Sequence, residues 1–224
     1  MHGSKLTRAT FAVIAVVALT GLVSQVIATA GDTTGQYRTA AARIANMLCF
    51  FTIDSNLLVF ATSLLVALGA ARVTGPFRVF WLDALAGIIV TGIVYQVALA
   101  GLYELHGLSL FADTMLHKVT PIVFVLGWLV AGPRGSLTWP TVWWSLVYPA
   151  VWLAFTLVRG AITGFYPYPF VNASALGYGR VTLNCIAIGV FFTVLAAGVF
   201  LVDRSLHRRA LRRAAAAEPQ PEVV

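Results

Sequence analysis

Six apolar runs of about 20 residues, at 9–30, 46–70, 81–103, 115–132, 141–158 and 182–202, leave this chain few architectures. A stretch of that length can cross the ~30 Å hydrocarbon core of a bilayer as one helix. Inside lipid every backbone polar group needs an internal partner, so a spanning chain folds as helices or as a closed barrel. The runs are continuous rather than alternating, which is not the barrel pattern. Only 10% of the 224 residues are charged, against roughly a quarter in a soluble domain. Residues 1–203 therefore read as one all-α, polytopic membrane domain, a six-transmembrane-helix bundle. Residues 204–224 follow it as a basic juxtamembrane segment and a disordered tail.

The first run has two readings. "MHGSKLTRATFAVIAVVALTGLVSQVIATAGD" carries the basic start and small-residue "ATA" of a cleaved signal peptide. Its apolar stretch of about 20 residues exceeds the 7–15 of a signal core, so a retained helix is expected. The net charge of +7 could suit nucleic acid, but the cations sit at the ends of the runs. With six spans, Lys5, Arg8, Arg72, Arg78, Arg134, Arg204, Arg208, Arg209, Arg212 and Arg213 share one side. Arg38, Arg43, Lys118, Arg159 and Arg180 take the other. The positive-inside rule then puts both termini in the cytoplasm of a plasma-membrane protein. "DRSLHRRALRR" reads as an anchor to anionic lipid, which makes membrane lipids the expected partners and nucleic acid not one. Cys49 and Cys185 fall within the runs and read as buried structural thiols, with no metal site or cofactor implied.

Polar residues inside such runs are the informative ones. In "FFTIDSN", residues 50–56, helical geometry puts Cys49, Thr52, Ser55, Asn56 and Ser63 on one face and Asp54 nearly opposite. A polar face turns toward the bundle interior. Asp54 must then find another partner, such as an outer-face arginine, and reads as structural. Taken alone, Thr52 fits the ordinary role of a membrane threonine, bonding the carbonyl one turn back or a neighbouring helix. The topology adds a histidine. Thr52, about two turns below the start of the second span, and His117, at the start of the fourth, share the outer membrane surface. So does "VRGAITGFYPYPF", between the fifth and sixth spans. A hydroxyl and an imidazole base are two of the parts that acyl transfer needs. His106, in the expected 104–114 loop, competes for the base role from a wetter position. Arg159 can snorkel, pair with Asp54 or receive a carboxylate. Tyr95, Gln96, Tyr148, Thr156 and Asn184 are further interior polar residues suited to helix contacts.

"FFTIDSN", "LHKVTP" and "RG…GFYPYPF" together resemble the bacterial six-helix membrane proteins of the Pr-six-Pr family, over about residues 10–203. Those are similar to the eukaryotic androgen-induced membrane proteins, which are threonine hydrolases of fatty-acid esters of hydroxy fatty acids. The resemblance implies a nucleophile at Thr52, a base at His117 ahead of Pro121, and a match to the family's "YPF" at Tyr168, Pro169 and Phe170. The histidine-to-proline spacing is one residue shorter here than in that family. The expected function is thus an integral-membrane carboxylic-ester hydrolase acting on a lipid ester. Asn56, Ser55, Arg159 and Tyr168 are the candidate oxyanion or substrate contacts. The rival expectation is a lipid or small-molecule transporter or binding protein, which would also need an inward polar face. Against it, the chain shows no inverted repeat.

Overall fold

The computed structural model describes residues 4–72 and 74–217, and the regular structure among them is all helical. Helix α1 (Lys5–Gly31) begins where the Ser4 hydroxyl accepts the Thr7 N–H. This satisfies one of the amides that a helix start leaves without an internal partner. Thr39 does the same for α2 (Ala40–Met47) and Thr74 for α4 (Gly75–Val94). In α7 (Trp139–Ser145) the bonding is reciprocal, between Thr138 and Thr141. These caps start α4 at 75 and α7 at 139, ahead of the hydropathy edges at 81 and 141, because a cap is polar and a hydropathy window passes over it.

The second expected run, 46–70, is not one straight helix. α2 and α3 (Phe51–Ala67) meet at 77° across a turn. No proline or glycine marks that break. The turn is closed by Cys49 N–H to Asn46 O and Phe50 N–H to Met47 O. It is tied from outside by Trp152, whose indole N–H donates to Cys49 O at 3.1 Å. As a result Thr52 is the second residue of a helix, not two turns inside one.

A second revision concerns residues 104–114. That stretch is a loop only as far as His106. Helix α5 (Gly107–Thr114) runs through a π-helical turn, Met115–Val119, into α6 (Thr120–Ala131). His117 therefore lies in mid-span. Pro121 accounts for the π turn: it has no N–H to give the His117 carbonyl four residues back, and its ring crowds that oxygen. Widening the helix by one residue relieves both problems, and such bulges recur at functional sites. α4 ends in a similar π turn, Tyr95–Leu99.

Helix α8 (Val147–Thr163) follows α7 after a break at Leu146 and stops at Gly164, φ 73°, the left-handed stop that glycine allows. The Tyr166 ring folds back onto Gly160, where a Cβ would lie 2.1 Å from the ring. After a 3₁₀ turn, Pro169–Val171, comes α9 (Ala173–Ala217), bent at Gly177 (φ 74°). At 1.5 Å per residue α9 is about 67 Å long, more than twice a bilayer core. The basic stretch from Arg204 to Arg213 is thus a helical continuation of the last span. Residues 218–224 of the expected tail lie outside the described residues.

α1 packs on α2, α3, α5 and α6, and α4, the most buried of the long helices, packs on α3, α6, α7 and α9. Phe11, Trp81 and Phe124 form the aromatic centre, with centroids 5.4–6.3 Å apart. α6 approaches α1 closely at Gly127, where a Cβ would meet Ile14 at 2.4 Å. Close approach at small residues is how helices associate where lipid removes the hydrophobic drive. The outer surface is apolar: Val97, Ile162 and Val130 are 82%, 79% and 74% exposed. Five helical stretches are long and apolar enough to cross a membrane, or up to six with the bent α2–α3 pair.

Candidate active site

Three separate chain regions meet at Thr52. Because α3 starts at Phe51, the Thr52 N–H has no acceptor within its own helix. It donates instead to the Tyr168 hydroxyl, at 3.2 Å. The same hydroxyl lies 3.3 Å from Thr52 Oγ1. On the other side Thr52 Oγ1 is 3.2 Å from His117 Nε2. Thr52 is 6% and Tyr168 8% exposed, so these bonds form away from bulk water, where geometry counts for more.

His117 is held from behind. Its Nδ1 is 3.0 Å from Asp113 Oδ1 and 3.1 Å from the Asp113 backbone oxygen. Both are acceptors, so the network places the imidazole proton on Nδ1 and leaves Nε2 to accept from Thr52. The Tyr95 hydroxyl donates to Asp113 Oδ2 at 2.5 Å, and its ring stacks on the imidazole at 4.1 Å and 18°. Hydroxyl, imidazole and carboxylate thus form a chain of the kind that activates a nucleophile, recognised by geometry rather than by residue order.

Asp113 is the residue that sequence reasoning missed. Its signal was present: four residues before His117, one helical turn, the spacing at which side chains meet. Reading 104–114 as a loop hid it. Tyr95 carries more than a helix contact, for it positions both members of the Asp113–His117 pair.

The other expected site residues divide. Tyr168 is at Thr52. Asn56 is fully buried, but its amide donates to Thr52 O at 2.8 Å and Leu116 O at 3.2 Å. With both protons engaged, Asn56 is a clamp between α3 and the His117 helix rather than an oxyanion donor. The Ser55 hydroxyl lies 3.3 Å from that of Tyr148, on α8. Arg159 bonds Tyr37 Oη at 3.0 Å and Asn46 Oδ1 at 2.7 Å, over the Phe165 ring. It braces α2 and pairs with no acid among the described residues. Asp54 has no arginine partner among them either; with Asp83 it lines a separate cavity of about 980 Å³. His106 sits exposed ahead of α5. Of the remaining polar residues, Gln96 is exposed, Thr156 buried, and Asn184 donates to Phe170 O at 2.9 Å. Cys49 is buried, its thiol 3.7 Å from Ala45 O.

In front of Thr52 opens a cavity of about 490 Å³ between α4, α8 and α9, within the roughly 300–1,000 Å³ usual for small-ligand sites. Thr52, Tyr95 and Tyr168 belong to its wall, with Phe51, Trp152 and Phe170 beside them. The Thr52 hydroxyl thus stands between the cavity and the His117 imidazole. Comparison with protein-family models, curated proteins and solved structures finds no match for this chain.

Proposed function

We propose that the protein is an integral-membrane carboxylic-ester hydrolase with Thr52 as nucleophile, His117 as general base and Asp113 as the group that orients it. The observation that carries the reading is the Thr52–His117–Asp113 chain, 3.2 and 3.0 Å, at the wall of an apolar cavity. As Thr52 Oγ1 attacks the ester carbonyl, His117 Nε2 takes its proton, and Asp113 stabilises the imidazolium that forms. The new oxyanion needs donors where its charge develops. The Tyr168 hydroxyl, 3.3 Å from Thr52 Oγ1, is the donor that stands closest to that position. Collapse breaks the ester C–O bond, and the alcohol leaves with the proton from His117. Water then gives a proton to His117, its oxygen attacks the acyl-threonine, and the acid departs as Thr52 regains its hydrogen.

The resemblance to the Pr-six-Pr proteins supports the same pair and suggests fatty-acid esters of hydroxy fatty acids, or similar lipid esters, as substrates. In this reading the α2–α3 pair counts as one of six spans. Both termini face the cytoplasm of the plasma membrane, and the site lies inside the bilayer at the depth of His117, close to the middle of its span. The test is labelling of the purified protein with a fluorophosphonate probe, comparing wild type with Thr52→Ala and His117→Ala. Labelling of wild type alone is expected. Labelling that survives Thr52→Ala would sink the nucleophile assignment. An unlabelled, inactive wild type that takes up substrate saturably in proteoliposomes would favour a transporter.

A further inference from the structure

The cavity in front of Thr52 also has features that bear on the guest. Its wall runs along α9 from Cys185 to Val194, and from Val90 on α4 to Leu99 at the end of the π turn that follows it, about 13 Å on each side at ~1.5 Å per residue. The hydroxyl-bearing Thr52 and Tyr168 belong to the same wall. Among the described residues the lining carries no charged side chain, so nothing there would compensate a buried carboxylate or phosphate. The shape and chemistry suit an uncharged, extended chain with its carbonyl at Thr52.

The cavity is not closed at the side. Ala150 on α8 and Gly189 and Val190 on α9 line it and are nevertheless exposed. They border a seam between α8 and α9 that faces the surface assigned to lipid. Gly189 lies within a continuous helix, where glycine is unfavourable relative to alanine. Packing does not demand it, since a Cβ there would meet no atom within 4 Å. By contrast, Gly127 and Gly160 are crowded. What the missing side chain at Gly189 leaves is free space at the seam.

We propose that the α8–α9 seam is a lateral entrance that admits one unbranched acyl chain from the membrane, and that Gly189 governs the length of chain that can lie before Thr52. This rests on the hydrolase reading and adds the route and the specificity position. A bilayer-dissolved ester then reaches the nucleophile without crossing water, carbonyl end toward Thr52 and tail along α9.

The experiment uses the full chain in nanodiscs and p-nitrophenyl esters from acetyl to palmitoyl. Gly189→Phe is expected to lower the ratio of long-chain to short-chain kcat/KM by about tenfold or more, the scale on which hydrophobic pockets discriminate. Gly189→Ala, which fits without a clash, should shift the ratio in the same direction by less. Ala150→Phe, on the facing helix, should act like Gly189→Phe. Leu183→Phe, on an exposed part of α9 outside the cavity, should leave the ratio unchanged. An unchanged ratio in folded Gly189→Phe and Ala150→Phe would overturn the entrance while leaving Thr52 chemistry standing. A wild type that neither hydrolyses any ester nor takes the fluorophosphonate would overturn both.

Discussion

Replacing Asp113 by asparagine removes one charge and almost no volume, yet the geometry makes it a severe test. Tyr95 donates to Oδ2 at 2.5 Å, so in Asp113→Asn it should hold the amide oxygen and turn the NH₂ toward His117 Nδ1. That NH₂ can only donate. It would compete with the backbone oxygen of residue 113 for Nδ1 and draw the imidazole proton to Nε2, facing Thr52, so that the hydroxyl would lose its acceptor. In Asp113→Ala the outcome differs, because the backbone oxygen of residue 113 still lies 3.1 Å from Nδ1. The correct tautomer survives there and only the carboxylate charge is lost. Two unit charges about 4 Å apart at an effective dielectric of about 20 interact by about 4 kcal/mol. At 1.36 kcal/mol per decade this is about a 10³-fold loss of kcat for alanine. Asparagine should approach the ~10⁴-fold loss of a tautomer error. Adding Tyr95→Phe to Asp113→Asn frees the amide to turn over and should restore part of the activity. Single-turnover ester hydrolysis and the rate of fluorophosphonate labelling measure all three variants. An asparagine variant no worse than alanine, or either within about tenfold of wild type, would refute the orienting role.

Three more outcomes are expected. Tyr168→Phe removes an oxyanion donor and should lower kcat by about 10²–10³ with little change in KM; a KM effect alone would make Tyr168 a wall residue. Asn56→Ala breaks two buried bonds, one within α3 to Thr52 O and one across to Leu116 O of the His117 helix, and should cost about 2 kcal/mol at ~1 kcal/mol each. Thermal unfolding in detergent reads that loss, and an unchanged midpoint would show that the clamp is dispensable. His117→Ala removes the acceptor of the Thr52 proton and should lower kcat by about 10²–10⁴, the usual share of a general base. An unchanged kcat in the folded variant would remove His117 from the base role.

The helical architecture was legible in the sequence because it follows from a local rule. Runs of apolar residues long enough to cross lipid must bond their own backbone, whatever their neighbours are. The inward set Thr52, Ser55, Asn56 and Ser63 was legible for a similar reason, since helical period alone puts them on one side. All four are buried. The break between α2 and α3 was not, because no residue in "ANMLCFFT" forbids a helix; Trp152, a hundred residues away, bonds the turn that makes it. The partners of each polar group were hidden for the same reason. Asn56 faces inward as helical period requires, yet whether it donates to a substrate or to Leu116 O depends on which helix arrives beside it. Asp113 lay one turn from His117 in plain view, but that spacing means contact only if the stretch is helical, and α5 owes its place to packing on α1. Periodicity assigns a side chain its direction, while long-range packing assigns its partner, and for Thr52 the partner separates a helix-binding hydroxyl from a nucleophile.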